Sequence, residues 1–507
     1  MEINLPLGAW CPDLADLDNP GVTVAHNVIP NFGNTQGGVT YEPLKEASLY
    51  QATTMASRPL GTAIGRDKLQ NAKVYGGCAT ALYKINSGTR LWQNISRTGG
   101  YSTSEGERWE STEYGNGIYF TNYNDEMQYI NKDIDLQFAN VTAVIKGRHI
   151  ATIRDRIVLA NTYDAVDSAV PFRVRWSGIG LPLSWDFSQS TGADFQDVYG
   201  FGAIQGIVGG EDGWLIMQDG IVKMSQVPYP MWFEFVPVRN AKGCSVAQSI
   251  ITVEGRTYFI SDDGFYVLDG DRGTSPIGAG KVDKFFLDTV DVGQYHKMSV
   301  AADPREKLIY WSFVSKAASN DDPDIMLIYN YVTGNWSKAD ATAHMIFNSM
   351  SLPWSVDMLS TFGSIDNVPA SFDSPVWAGG NAMLWAMKKD GSIYVFGGDN
   401  LPAVIETREQ LVASLFKQDP NFRGDKATIQ KMRPLFDGGG ASVTMRIGSR
   451  ANSNGDVRWS NVFPLHPETQ WAYSRVCDRF HRFRVELSGP WKNVGILEID
   501  AIPAGSR

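Results

Sequence analysis

"GWLIMQDGIVKMSQ", residues 213–226, sets the apolar run Trp214–Met217 against a second run, Ile221–Met224, across the turn Gln218-Asp219-Gly220. Asp-Gly between short β-prone runs is a strong local signal for a β-hairpin, because its turn positions tolerate positive φ. Four apolar residues in a row are also far short of a membrane span. The stretch therefore reads as two paired strands.

The same grammar recurs on both sides. It appears at "ALYKINSGTRLW" (81–92), "GIYFTNYNDEMQYIN" (117–131) and "IATIRDRIVLANTY" (150–163). It returns at "RTYFISDDGFYVLDGDRG" (256–273), across residues 307–337, and at "MLWAMKKDGSIYVFGGD" (383–399). Asp262-Asp263-Gly264 and Lys389-Asp390-Gly391 fill the same turn position as Asp219-Gly220. Seven such units begin between 33 and 76 residues apart, around the period of propeller blades. The spacing varies, so the repeat is one of structure and not a copied consensus. An all-β propeller of six or seven blades is expected, since radial repetition leaves few open sheet edges. Two or three stacked β-sandwiches are the alternative the same composition would build.

Bulk composition agrees with strands joined by turns. The chain has 507 residues, with 50 Gly, 24 Pro and 12% aromatic residues, a turn- and strand-rich usage. That length predicts more than one ordinary core. A formal charge of −10 argues against a surface that grips a nucleic-acid backbone throughout. It is compatible with a wall past which DNA slides. Cys11, Cys78, Cys244 and Cys477 are far apart, with no CxxC, so neither a disulfide framework nor a zinc site is expected, and folding in a reducing compartment is. The opening "MEINLPLGAWCPDLADLDNPGV" lacks the basic and apolar regions of a signal peptide.

The flanks differ from the centre. Residues 1–45 read as an extended arm joining a terminal platform, 46–400 as the propeller, 401–430 as a helix and loop linker, and 431–507 as a C-terminal β-domain. The helix is expected over "PAVIETREQLVASLFKQ" (402–418), where Val404, Ile405, Leu411, Val412, Leu415 and Phe416 can share one face. The loop "DPNFRGDK" follows it.

Motifs of catalysis are incomplete. The six histidines form no HExxH, and no GxSxG elbow occurs. "IGAGK" (277–281) has Ser275 where a phosphate loop needs its first glycine, and Val282 where it needs Ser or Thr. "SDDGFYVL" (261–268) shares only the opening of a sialidase Asp-box. The acidic turns at 268–273, 319–324 and 452–456 lack the ligand spacing of a calcium loop. No enzyme activity, metal or cofactor is therefore expected. One stretch suggests a contact surface instead. In "RVCDRFHRFRVEL" (475–487), strand alternation places Arg482 and Arg484 on one face and His481, Phe483 and Val485 on the other, with Arg475 and Arg479 nearby. That stripe reads first as an exposed face paired with its own acids, and second as a contact to DNA or an acidic partner. The tetrapeptide Val-Arg-Trp-Ser occurs at 174–177 and again at 457–460. Each copy reads as a strand with a tryptophan packing anchor, its arginine free for an interface.

The order of several stretches resembles the tail hub or nozzle proteins of short-tailed bacteriophages, also called packaged-DNA stabilisation proteins. The stretches are "LGAWCPDLADLDNPGVTVAHNVIPNFGN" (7–34), "RVRWSGIGLPLSW" (173–185), "FGAIQGIVGGEDGWLIMQDGIVKMS" (201–225), "GFYVLDGDRGTSPIGAGKVDKFF" (264–286) and the closing region 432–495. Relatives carry Gly-Arg-Tyr or similar before His-Arg-Phe-Arg; this chain has Asp478-Arg479-Phe480. The resemblance implies a non-enzymatic virion tail protein, assembled in the host cytoplasm, with no membrane span. It implies a homo-hexameric ring below the head-to-tail connector or adaptor, contacted by tail fibres or spikes. Packaged double-stranded DNA would be retained by that ring and pass through its lumen on ejection. The alternative is a tail-associated propeller enzyme or lectin acting on host surface glycans. A cellular propeller scaffold is a third reading, because fold does not fix function.

Overall fold

A computed structural model describes residues 2–33, 38–142, 145–352, 380–417 and 426–504, with isolated positions between 353 and 379. The hairpin expected at residues 213–226 is present. Strands Gly213–Met217 and Ile221–Gln226 pair with Ile216 opposite Ile221, and Met217 N–H donates to Gly220 O at 2.9 Å. Leu215, Met217, Val222 and Met224 are buried between this sheet and its neighbour.

Six four-stranded antiparallel sheets, and four antiparallel strands that open a ten-stranded sheet, make seven successive units along the chain. They begin with strands Pro59–Arg66, Glu110–Tyr114, Ile145–Ile153, Ile204–Val208, Ile251–Val253, Ser299–Asp303 and Met345–Met350, and are numbered here as blades 1 to 7. These first strands are innermost. Each packs against the next, Gly206 of blade 4 lies against Ile250 at the entry to blade 5, and the ring closes from blade 7 to blade 1. The fold is a seven-bladed β-propeller. Its closure is sequence-distant: strand Lys45–Gln51 supplies the outer strand of blade 7, pairing with Ile393–Asn400.

Blade 6 does not end at its fourth strand, Asn335–Asp340. His26 continues the sheet beside Lys338, with Ser337 Oγ donating to Val28 O at 2.6 Å and Asn27 N–H to Lys338 O at 2.8 Å. Strand Val22–His26 pairs with Ala403–Thr407, then Phe480–Ser488, then Ser442–Arg450, which carries the short strands Arg458–Trp459 and Phe463–Pro464. Ten strands thus run unbroken from the propeller into a platform. A six-stranded sheet forms the second platform layer, built on the pairing of Ala427–Asp437 with Asn493–Pro503. One apolar cluster fills both parts, from Phe265, Trp311 and Trp336 of blades 5 and 6 to Ile405, Met445, Phe483 and Leu497 of the platform.

Three expectations are corrected. The helix expected over 402–418 is confined to Val412–Lys417, and Ala403–Thr407 is a strand. Its helical pattern loses to tertiary pairing, since the β-branched pair Val404-Ile405 fits a slot between two strands and seats Ile405 opposite Val485. The loop expected at 419–426 lies outside the described residues except for Lys426. Residues 1–45 are not a plain extended arm, because Glu2–Pro6, Val22–His26, Val28–Phe32 and Val39–Pro43 are all sheet strands. The two Val-Arg-Trp-Ser copies also diverge. Trp176 is buried and donates to Gly192 O at 3.0 Å, whereas Trp459 is 39% exposed and covers Gly448. Nor is Arg175 free for an interface; its Nη1 donates to Asp164 Oδ2 at 3.1 Å.

Candidate functional site: the platform face and its joint with the propeller

Strand Phe480–Ser488 alternates as its sequence implies. His481, Phe483, Val485 and Leu487 are buried, while Arg482, Arg484 and Glu486 share the opposite face. The neighbouring strand adds Arg446 directly opposite Arg484 and Gly448 opposite Arg482. Strand Ala403–Thr407 brings Glu406 opposite Arg484 from the other side.

The basic stripe is largely neutralised within the chain. Arg482 Nη1 donates to Glu406 Oε1 at 2.9 Å, and its Nη2 meets the Asp16 carboxylate. Burial alone would lower the Arg482 pKa, but its hydrogen bonds to Glu406 and Asp16 outweigh burial and hold it above the ordinary value. Arg484 and Arg446 share one oxygen of Glu486, at 3.1 and 3.8 Å. Arg450 grips the buried Glu409 carboxylate with two nitrogens, Nε at 2.7 Å. Arg475 stands apart, exposed on strand Ala472–Asp478 at the rim of the six-stranded sheet beside exposed Tyr473 and Cys477. Arg479 sits half-buried in the turn between the two strands. The structure therefore gathers Arg482 and Arg484 on one ion-paired face and leaves Arg475 and Arg479 outside it. The expectation of a face paired with its own acids holds, although the acids were not named from sequence. Glu486 was legible, two residues beyond Arg484 on the same strand face; Glu406 was hidden inside the segment read as helix.

Below this face lies the joint. Asp13 reaches from the N-terminal region to the helix Asp283–Thr289, its two carboxylate oxygens accepting the amides of Lys284 at 2.9 Å and Phe285 at 2.8 Å. Those amides begin a helix and have no partner within it, so a distant aspartate caps them. Asp13 N–H donates to Lys281 O at 3.1 Å, and Trp10 meets Phe285 edge-on at 5.4 Å. The turn "IGAGKVD" thus presents a helix start to Asp13. Its Asp283 carboxylate turns inward, accepts Phe265 N–H at 3.0 Å, and sits where a Cβ on Gly264 or Gly278 would collide with it. Burial, helped by the charges of Asp13 and Asp263, pushes the Asp283 pKa up to about 6.

The propeller axis offers a second concavity, of about 410 Å³, to which every blade contributes, through Gly61, Trp109, Ile150, Gly206, Ile250, Val300 and Ile346 among others. Among the described residues Glu110 is the one carboxylate on its lining, and its Oε1 lies 2.8 Å from Nδ1 of the buried His149. Among the described residues no cluster of three or more His, Cys, Asp or Glu side chains could hold a metal, and no helix is long and apolar enough to cross a membrane. The four cysteines are free thiols.

No family model matches the chain, and no curated protein does. Among solved structures it is similar to YCF48 from Cyanidioschyzon merolae, 8% identical, TM-score 0.37, covering 69% of this chain and 98% of that one. It is similar to apo AztD from Citrobacter koseri, 10% identical, TM-score 0.30, over 55% and 86% of the two chains. It is similar also to Trypanosoma rangeli sialidase in complex with sialic acid, 9% identical, TM-score 0.24, over 99% and 95%. At these values the similarities are of fold alone and carry no argument about activity.

Proposed function

We propose that this chain is a structural subunit of a short-tailed bacteriophage tail, a nozzle that assembles as a hexameric ring beneath the connector and conducts packaged DNA without catalysis. One observation carries the reading. Three of the five stretches whose order resembles that family, 7–34, 264–286 and 432–495, are separated by up to several hundred residues and meet at one joint, while 173–185 and 201–225 build blades 3 and 4. Pro12-Asp13 meets the Ile-Gly-Ala-Gly-Lys-Val-Asp turn, Asn27–Pro30 meets blade 6, and Asp16 meets Arg482 of the closing region. Three of the motifs that carry the resemblance therefore supply residues that weld platform to propeller.

A conduit subunit needs such a weld. Its work is to hold shape while a charged polymer passes, and a sheet continuous between two bodies resists hinging better than a linker does. The charge of −10 lowers retention of a polyanion in a lumen, since each fixed phosphate contact would add affinity. Arg475, exposed at the platform rim, is the member of the predicted stripe best placed to meet a connector or fibre protein. The glycan-hydrolysing reading requires a pair of carboxylates across one cavity, and the axial cavity supplies Glu110, already engaged by His149.

The test is to mix the purified chain with the connector of the same particle and weigh the products by mass photometry. Species carrying about six copies of the 56.0 kDa chain are expected. A chain that stays monomeric beside its connector contradicts the proposal. Turnover of host oligosaccharides, abolished by Glu110→Gln, would establish the glycan reading in its place.

A further inference from the structure

Arg108 lies just before the innermost strand of blade 2, yet its side chain reaches past blade 1 to blades 6 and 7. Nε donates to His296 O at 3.0 Å and Nη2 to Met298 O at 3.1 Å, both at the entry to blade 6. Nη1 lies 3.2 Å from Met345 Sδ of blade 7. Blades 2 and 6 are not neighbours, so the guanidinium sits across one mouth of the axial cavity, which it lines.

Its three partners are neutral. No carboxylate lies within ion-pair distance among the described residues, and each terminal nitrogen keeps one hydrogen without an acceptor there. Burial, with a contribution from Arg58, pushes the Arg108 pKa down to about 10, which leaves it charged at neutral pH. Lys297, 7% exposed, adds a second cation whose acceptor is a carbonyl, Asp321 O at 2.7 Å. Burial, with the charges of Arg108 and Arg58, holds both His296 and His344 below the ordinary histidine range, His344 at about 4.

A partly buried cation whose hydrogen bonds all go to neutral groups is stabilised by an anion placed beside it. Two free N–H groups on a planar fork suit an oxyanion with two oxygens presented side by side. Gln205, Gln248, Ser111 and Ser299 also line the cavity and supply neutral hydrogen-bonding groups. We propose that this mouth of the axial cavity is a receptor for a small oxyanion, a carboxylate or a phosphoryl group, with Arg108 as its binding residue. The site is independent of the nozzle reading and would serve any of the functions considered above.

Full-length protein in a buffer free of phosphate and carboxylate is treated with phenylglyoxal, and modification of each arginine is followed by peptide mass spectrometry. Inorganic phosphate and malonate are added in separate arms. Protection of Arg108 by about fivefold is expected in at least one arm at about four times the dissociation constant, with exposed Arg272 and Arg458 unprotected. The arm that protects more assigns phosphoryl or carboxylate chemistry. The same anion should raise the melting temperature, and Arg108→Gln should abolish that rise. An Arg108 that serves only as a brace between blades predicts otherwise. Its modification rate would be the same with and without either anion, and the thermal shift would survive in Arg108→Gln; either result overturns the proposal. The phenylglyoxal readout uses the wild-type chain, so it stands even if the variant fails to fold.

Discussion

His481 is fully buried, and neither ring nitrogen has a hydrogen-bond partner among the described residues. Burial pushes its pKa down to about 4. The folded chain therefore keeps the ring neutral while the unfolded chain protonates it below about 6.5. The stability it contributes is present above 6.5 and is lost as pH falls toward 4, on the order of 3 kcal/mol across that window. His344 acts in the same direction. Asp283 acts oppositely: its raised pKa favours the folded state below the ordinary carboxyl value, and that contribution is lost as pH rises through about 6. Replacing His481 with leucine is predicted to flatten the fall in stability between pH 6.5 and 4, as read by urea denaturation at several pH values. An unchanged slope would mean that the ring is solvated. The same residue shows a limit of sequence reading: its place on the apolar face of a strand was legible, but its missing partners depend on Gln410 and the strands packed around it.

At the scale of elements, the decisive contact is the cap on Asp283–Thr289. Removing the Asp13 carboxylate leaves two helix-start amides without acceptors and unhooks the N-terminal region from the propeller. Asp13→Ala is predicted to cost about 1 to 2 kcal/mol, and hydrogen exchange should show protection lost at Lys284 and Phe285. Retained protection would show that the joint does not depend on the cap. Hairpins were the most legible elements, because strand, Asp-Gly turn and strand are adjacent in sequence and period two needs no partner to be seen. The platform strands were less so. Ala403–Thr407 has a pattern compatible with a helix, and only its slot between residues 22–26 and 480–488, hundreds of positions apart in sequence, makes it a strand. Acids facing the stripe were expected, but which ones was hidden for the same reason, since Asp16 and Glu406 reach Arg482 through pairings that no local pattern encodes.

At the scale of the molecule, one apolar cluster and one ten-stranded sheet join platform and propeller, so the two bodies are predicted to unfold together. Phe483, fully buried in the platform, is the probe. Phe483→Ala should cost about 3 to 5 kcal/mol and shift a single transition that also reports Trp311 and Trp336, which stack at 5.7 Å in blade 6. Two separated transitions would show a linker where a weld is claimed. The seven-blade ring follows from repeated units that the sequence displays openly, whereas its closure by Lys45–Gln51 and its extension through blade 6 do not. The central claim is that the welded unit is a ring subunit of a tail, and electron microscopy of the chain assembled on its connector tests it most directly. The account predicts six-fold rings with an open axial lumen, each subunit showing a propeller and a platform in fixed relation. Isolated propellers scattered beside bare connectors would contradict it.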